Sequence, residues 1–326
     1  MNAMRNPAGW PRRVLAWLAR GTLVLTALLA ASVLMGWGWT QIQINRPTQS
    51  LTQEEARQSY LRAVGWLRSN ESLVLSQGNA ALWWMIDTAA RRSEDRYLAE
   101  LVERHLAIAY RGMWVNSPWK RLVRPQAAAT GEPPAGEQLV RYQRFFLTAV
   151  TCQADADTID FLEGHVCRPS LIKALLVDRV CSTHHLMGLM IHRRSGCEAP
   201  AGVNRLHSEL LDDIETQARL DPFMRDATLQ RVLMLAWAGA VDRPQPSWVR
   251  RVRDAQQADG GWSGEETLPE WADFLQPRAL AALWARLSGR PLPRSVPPSD
   301  FHASAQGLLL MALLAHPAGK IDTPGQ

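Results

Sequence analysis

The stretch "WVRRVRDAQQADGGW", Trp248 to Trp262, decides how this chain is read. Trp248, Val249 and Val252 recur at spacings of three and four, which puts them on one face of a helix. Asp259-Gly260 then fits a helix stop, because glycine takes the left-handed conformation that ends helices without a Cβ penalty. No Asn-Gly or Asp-Gly joins two β-branched runs anywhere in the chain, so nothing signals a β-hairpin.

The same helical period extends outward from this stretch. It predicts helices over 79–91, 94–111, 137–151, 170–194, 205–219, 225–240, 247–257, 276–288 and 302–315. An earlier helix opens at Thr52, with Glu55 three residues on at the capping-box spacing, and continues through Tyr60, Leu61, Val64 and Leu67. The loops "RPQAAATGEPPAGEQ" (124–138) and "SGRPLPRSVPPSD" (288–300) do not separate halves of different composition, so residues 46–326 read as one all-α domain.

Five of the segments are apolar around most of their circumference: "NAALWWMIDTAA", "THHLMGLMIH", "ATLQRVLMLAWAGA", "PRALAALWARL" and "ASAQGLLLMALLA". Amphipathic helices lie between them. A helix apolar on all sides must be buried on all sides. The alternation therefore predicts an inner ring of helices surrounded by an outer ring that is wet on one face.

Gln256, Gly260 and Trp262 resemble the repeat of the terpenoid cyclase and protein prenyltransferase toroids, in which an outer helix ends in Gln, three residues, Gly, one residue and Trp. Val252 matches the aliphatic position of that repeat, and Arg251 stands where it has an aromatic residue. "AVGWLRSNESLVLSQGNAALWW" resembles a degenerate copy without the Gly-x-Trp ending. The resemblance implies an α/α toroid and a structural role for the repeat, tying outer helices together.

The first 45 residues carry a different signal. "GTLVLTALLAASVLMGWGWTQIQIN", residues 21–45, is uncharged and exceeds the ~20 residues that cross a bilayer. Arg5, Arg12, Arg13 and Arg20 precede it and only Arg46 follows closely, so the positive-inside bias puts the N-terminus in the cytoplasm. Trp17, Trp37 and Trp39 fall near the two interfaces, where indoles prefer to sit. A cleaved signal peptide competes, but Met35, Trp37 and Trp39 stand where small residues would mark the cleavage site. The chain thus divides into a basic cytoplasmic segment (1–20), a transmembrane anchor (21–45) and a periplasmic domain (46–326), held in the inner membrane through contact with the lipid bilayer. The net charge of +5 is spread among acidic residues without a basic stripe, so no nucleic-acid partner is expected.

Cys152, Cys167, Cys181 and Cys197 lie close together with His165, His184, His185 and His192. In an oxidising compartment an even number of cysteines reads first as disulfides. Pairing sequence neighbours would close two loops worth about 3 kcal/mol each in the chain-entropy model. Pairing 167 with 181 and 152 with 197 would clamp two helices. The competing reading is zinc: Cys181 shares a helix face with His184 or His185, and inner-helix starts of a toroid converge, so His302 could join them. Protein prenyltransferases and lanthionine synthetases hold zinc in the toroid mouth through Cys and His, although neither ligand motif is reproduced here. No other cofactor is expected.

Two acidic stretches complete the candidates. Asp155 and Asp157 match the first two acids of the class II terpene cyclase Asp-x-Asp-Asp run, with Thr158 in place of the last. The resemblance would make Asp157 a general acid; as helix-start residues these aspartates would instead cap free N–H groups. "PPSDFHASAQG" places Asp300 as an N-cap, with His302, Ser304 and Gln306 giving an apolar helix a polar first turn. With Asn79, Gln230 and Arg278, at or near the starts of other inner helices, these residues form a polar rim for a ligand cavity. Two functions follow. One is a membrane-anchored accessory or binding protein of the cell envelope, engaging a ligand or a protein complex. The other is a toroid enzyme on an isoprenoid-like, glycan or peptide substrate, with Asp157, His184, His185 and His302 at its centre.

Overall fold

The computed structural model describes residues 10–127, 139–153, 159, 161–162, 167, 179–199, 201–265 and 298–317. Its helices are α1 (Trp10–Ile44), α2 (Gln53–Ser69), α3 (Glu71–Leu75), α4 (Ala80–Ser93), α5 (Arg96–Ala109), α6 (Lys120–Val123), α7 (Arg141–Thr151), α8 (Cys181–Arg194), α9 (Val203–Leu220), α10 (Asp226–Met234), α11 (Pro246–Asp254) and α12 (Phe301–Ala315). Among the described residues there is no strand; an isolated bridge pairs Trp262 with Asp300. The expected helix over 276–288 lies outside the described residues, as does most of 170–180. Two compact units divide the chain: residues up to Gln43 belong to one, and Ile44–Thr267 with Arg294–Gln326 form the other, the helical body.

Helix α1 runs without a break from Trp10, inside the basic segment, through the uncharged stretch to Ile44, and Val14–Ile44 is long and apolar enough to cross a membrane. Its leucines and valines are largely exposed, an apolar surface that water does not favour. The hydroxyls of Thr22, Thr26 and Ser32 donate to carbonyls one turn back, which satisfies those three groups without water.

The body alternates as the sequence predicts. Helices α4, α8, α10 and α12 are buried around most of their surface, whereas α2, α5, α9 and α11 bury one stripe each. The buried helices are neighbours in the order α4, α12, α10, α8. Against them pack α5 on α4, α2 on α12, α11 on α10, α9 on α8 and α10, and α7 on α8. Thr52 and Glu55 close the expected capping box, and Asp300 caps α12 by accepting from Ala303 N–H at 2.9 Å.

The 256–262 segment fastens three helices at once. Gln256 donates to the carbonyls of Ser59 on α2 (2.9 Å) and Gly260 (2.8 Å), while Ser59 donates back to its Oε1 at 2.7 Å. Trp262 is fully buried; its indole N–H donates to the Val252 carbonyl of α11 at 2.7 Å, and its backbone N–H to Ser304 Oγ of α12 at 3.0 Å. The ring lies against Gly307, where any Cβ would collide with it. Gly260 has φ +94°, and a side chain there would also overlap the Arg62 carbonyl.

A second fastening is ionic. Asp221 and Arg231, both fully buried, form an ion pair that Arg225 joins at 2.9 Å, and Arg231 also donates to Gln217 (3.2 Å) and to the Arg179 carbonyl (2.7 Å). Buried charges persist only when paired and hydrogen-bonded, and breaking one partner is costly. This group ties the end of α9 to the first turns of α10.

The cysteines adopt the helix-clamping pairing: Cys152 bonds Cys197, and Cys167 bonds Cys181. Both ends of the histidine-rich α8 are therefore stapled, one to the residue that follows α7 and the other to a segment 14 residues upstream. The larger loop is worth about 4 kcal/mol and the smaller about 3 kcal/mol in the chain-entropy model.

Peptide mapping of the unreduced protein should recover these two pairs and no neighbour pair; a 181–197 linkage would contradict the fold around α8. Gly260→Ala should lower stability by about 2–3 kcal/mol in urea unfolding, because the added methyl meets both a forbidden φ and the Arg62 carbonyl.

Candidate functional site

The N-terminal turns of the four buried helices open into one cavity of about 630 Å³. Asn79 caps α4, His184 lies in the first turn of α8, Gln230 lies in the second turn of α10, and His302 and Gln306 occupy the first two turns of α12. Between them are apolar side chains such as Leu82, Met85 and Met187. The far wall comes from Tyr110, Trp114 and Trp119 after α5, and from Tyr142 and Phe146 of α7. Among the described lining residues there is no lysine, arginine, aspartate or glutamate.

His302 is held by Asp226, the first residue of α10. Its Nδ1–H donates to Asp226 Oδ1 at 2.6 Å, and Gln306 donates to the same oxygen at 3.0 Å. Burial works against protonating His302, but the hydrogen bond and charge of Asp226, aided by the charge of Asp300, prevail and raise its pKa above the ordinary histidine value. With Nδ1 committed to Asp226, Nε2 is the ring nitrogen left for a ligand. The backbone holds both partners in place: Gly264 donates to Asp300 Oδ2 at 2.6 Å, and its carbonyl accepts from Asp226 N–H at 3.3 Å.

His184 has the opposite character. Its Nδ1–H donates to the Val180 carbonyl at 2.9 Å, which leaves a lone pair on Nε2. Burial lowers its pKa, and the charge of His302 lowers it further, against the raising influence of the Val180 carbonyl and Asp226. Its ring packs on Tyr142 with centroids 4.3 Å apart.

The other sequence-predicted residues are placed differently. His185, one residue on, points into the core; its Nε2–H donates to the Phe161 carbonyl, the rings of Phe145 and Phe161 meet it edge-on, and burial depresses its pKa to about 4. The Cys181 sulfur is committed to Cys167 and is no thiolate ligand. The sulfur that the competing zinc reading would give to a metal with His185 and His302 is thus in a disulfide, the reading taken first from the sequence, and among the described residues no three His, Cys, Asp or Glu side chains group as metal ligands. Asp157, Asp155 and Arg278 lie outside the described residues. Of the candidates, His184 and His302 share the cavity, together with Gln306, Gln230 and Asn79 of the expected rim.

Asp226 and the aromatic wall were not singled out from the sequence. Asp226 could have been, since it opens a buried helix just as Asp300 precedes another, four residues before Gln230. The wall could not, because "AYRGMWVNSPWKR" has no helical or strand period. No known family model, curated protein or solved structure matches this chain.

His302 should titrate above the ordinary histidine range in the folded protein and His184 below it, read from ring-proton shifts by NMR. Because the folded pKa of His302 is raised, its pair with Asp226 adds stability below the unfolded-chain pKa and loses it as pH rises through the folded value. Asp226→Asn should bring the His302 titration down; an unchanged midpoint would show that the pair is not what holds the proton.

Proposed function

We propose that this chain is a membrane-anchored binding protein of the cell envelope whose helical body, a toroid of inner and outer helices, receives a small-molecule ligand in the cavity at the inner-helix starts. The observation that carries the reading is the convergence of four buried helix starts on one cavity whose described lining has no lysine, arginine or carboxylate, with a few polar groups in an apolar wall. Helix α1 is the anchor. The arginines ahead of Gly21 support a cytoplasmic N-terminus, and the disulfides support an oxidising compartment for the body, which is the periplasm if the membrane is the inner one.

A specific observation favours an enzymatic second reading. His302 is poised to hold a proton and His184 to accept one at the same cavity, and a pair of titratable groups pushed in opposite directions is how acid and base roles are divided.

Full-length protein purified in phospholipid nanodiscs should release a reproducible small-molecule adduct in native mass spectrometry, diminished in His302→Ala at equal folded yield. An alkaline phosphatase fused after the last residue should be active. A cavity empty in every preparation, with a silent phosphatase, would overturn both halves of the reading.

A further inference from the structure

We infer that the cavity takes a neutral, polyhydroxylated ligand, a short oligosaccharide, stacked on its aromatic wall and hydrogen-bonded by its carboxamides; this rests on the ligand-cavity reading above. Three features of the lining select that chemistry.

The first is charge. An anionic ligand would meet no lysine or arginine among the described lining residues, and a cationic one no carboxylate. Histidine apart, the polar lining is neutral, and five of its members are carboxamides: Gln77, Asn79, Gln143, Gln230 and Gln306. A carboxamide offers a donor and an acceptor side by side, which matches a hydroxyl group that does both.

The second is a pair of groups that ask for hydrogen bonds. Gln306 is fully buried, its amide nitrogen is spent on Asp226, and its Oε1 has no partner. His105, also buried and cavity-lining, stacks on Trp83 with centroids 3.8 Å apart and has neither ring nitrogen paired. Burial holds His105 neutral by lowering its pKa to about 4, so it presents one N–H and one lone pair. A hydrocarbon occupant would leave these groups unsatisfied, and an ionised carboxylate or phosphate has no hydrogen to give Gln306 Oε1. A hydroxylated ring supplies both roles once these side chains turn toward the cavity, because the Gln306 oxygen and the His105 nitrogens are themselves closed to solvent. Gln230 adds to the set: its Oε1 accepts from Thr183 at 2.8 Å, which leaves its N–H groups for the cavity.

The third is the wall itself. Tyr110, Trp114, Trp119 and Tyr142 supply aromatic rings to the lining, and the apolar C–H face of a sugar ring lies against such rings while its hydroxyls point outward to the polar rim. Trp114 is 37% exposed, so part of its ring is open to a ligand.

The test is titration of the full-length protein in phospholipid nanodiscs, free of glycoside detergent, with maltotriose, cellotriose and triacetylchitotriose, and with farnesol as the apolar probe, followed by tryptophan fluorescence. At least one trisaccharide should give a saturable change. Trp114→Ala should weaken it about three- to tenfold through lost stacking, and Gln306→Leu about tenfold through the lost acceptor. Trp114 is exposed enough that its replacement leaves the core intact, so the test survives a Gln306 variant that fails to fold. Saturable farnesol binding with no trisaccharide response would overturn the oligosaccharide inference and leave the ligand-cavity reading standing. No response to any of the four probes would overturn the inference, and the ligand-cavity reading would fall with it only if the native mass spectra also showed no adduct.

Discussion

Everything in the body depends on how Trp262 is buried. One indole, lying on Gly307 and donating to the Val252 carbonyl, joins the half-buried helix α11 to the buried helix α12, while Gln256 beside it grips α2. The chain can make this junction because Gly260 accepts a positive φ and Gly307 leaves room for the ring. The junction also reaches the cavity. Trp262 accepts from Asp300 N–H, and Gly264, two residues on, bonds both Asp300 and Asp226. The segment that looks purely structural therefore positions Asp226, which holds His302, and Asp300, whose charge favours its protonation.

Around that junction the body solves two separate problems. Burying α4, α8, α10 and α12 on all sides supplies the hydrophobic core, at roughly 25 cal/mol for each Å² of apolar surface removed from water. Their ends cannot be closed in the same way, since the first N–H groups of each helix need partners. Asn79 and Asp300 meet that need by accepting from backbone N–H groups. The same requirement brings polar side chains to the end of an oily core, and a cavity with a polar rim is the result.

Helix α8 shows how one sequence feature splits into two roles. His184 and His185 are adjacent, yet successive helical residues point about 100° apart, so one faces the cavity and the other the phenylalanine-lined core. Disulfides at both ends of α8 keep that rotation from changing. The cysteines that looked like ligand partners of these histidines instead fix which histidine is available.

The sequence by itself determined the helical class, the alternation of buried and half-buried helices, the Thr52 and Asp300 caps, the junction residues Gln256, Gly260 and Trp262, and the long apolar helix at the N-terminus. The junction residues were marked by the resemblance to the toroid repeat; the rest follows from periodicity, local capping chemistry and hydrophobicity, which act over a few residues and leave a pattern in the order of the chain. Polar residues at the starts of the buried helices were legible in the same way. Only the tertiary structure decided that Cys152 bonds Cys197, that His302 pairs with Asp226 across 76 residues, that His185 is withdrawn from the site, and that the 110–119 segment walls the cavity with aromatics. Those relations depend on the distance and rotation between elements, which packing sets and residue spacing does not encode.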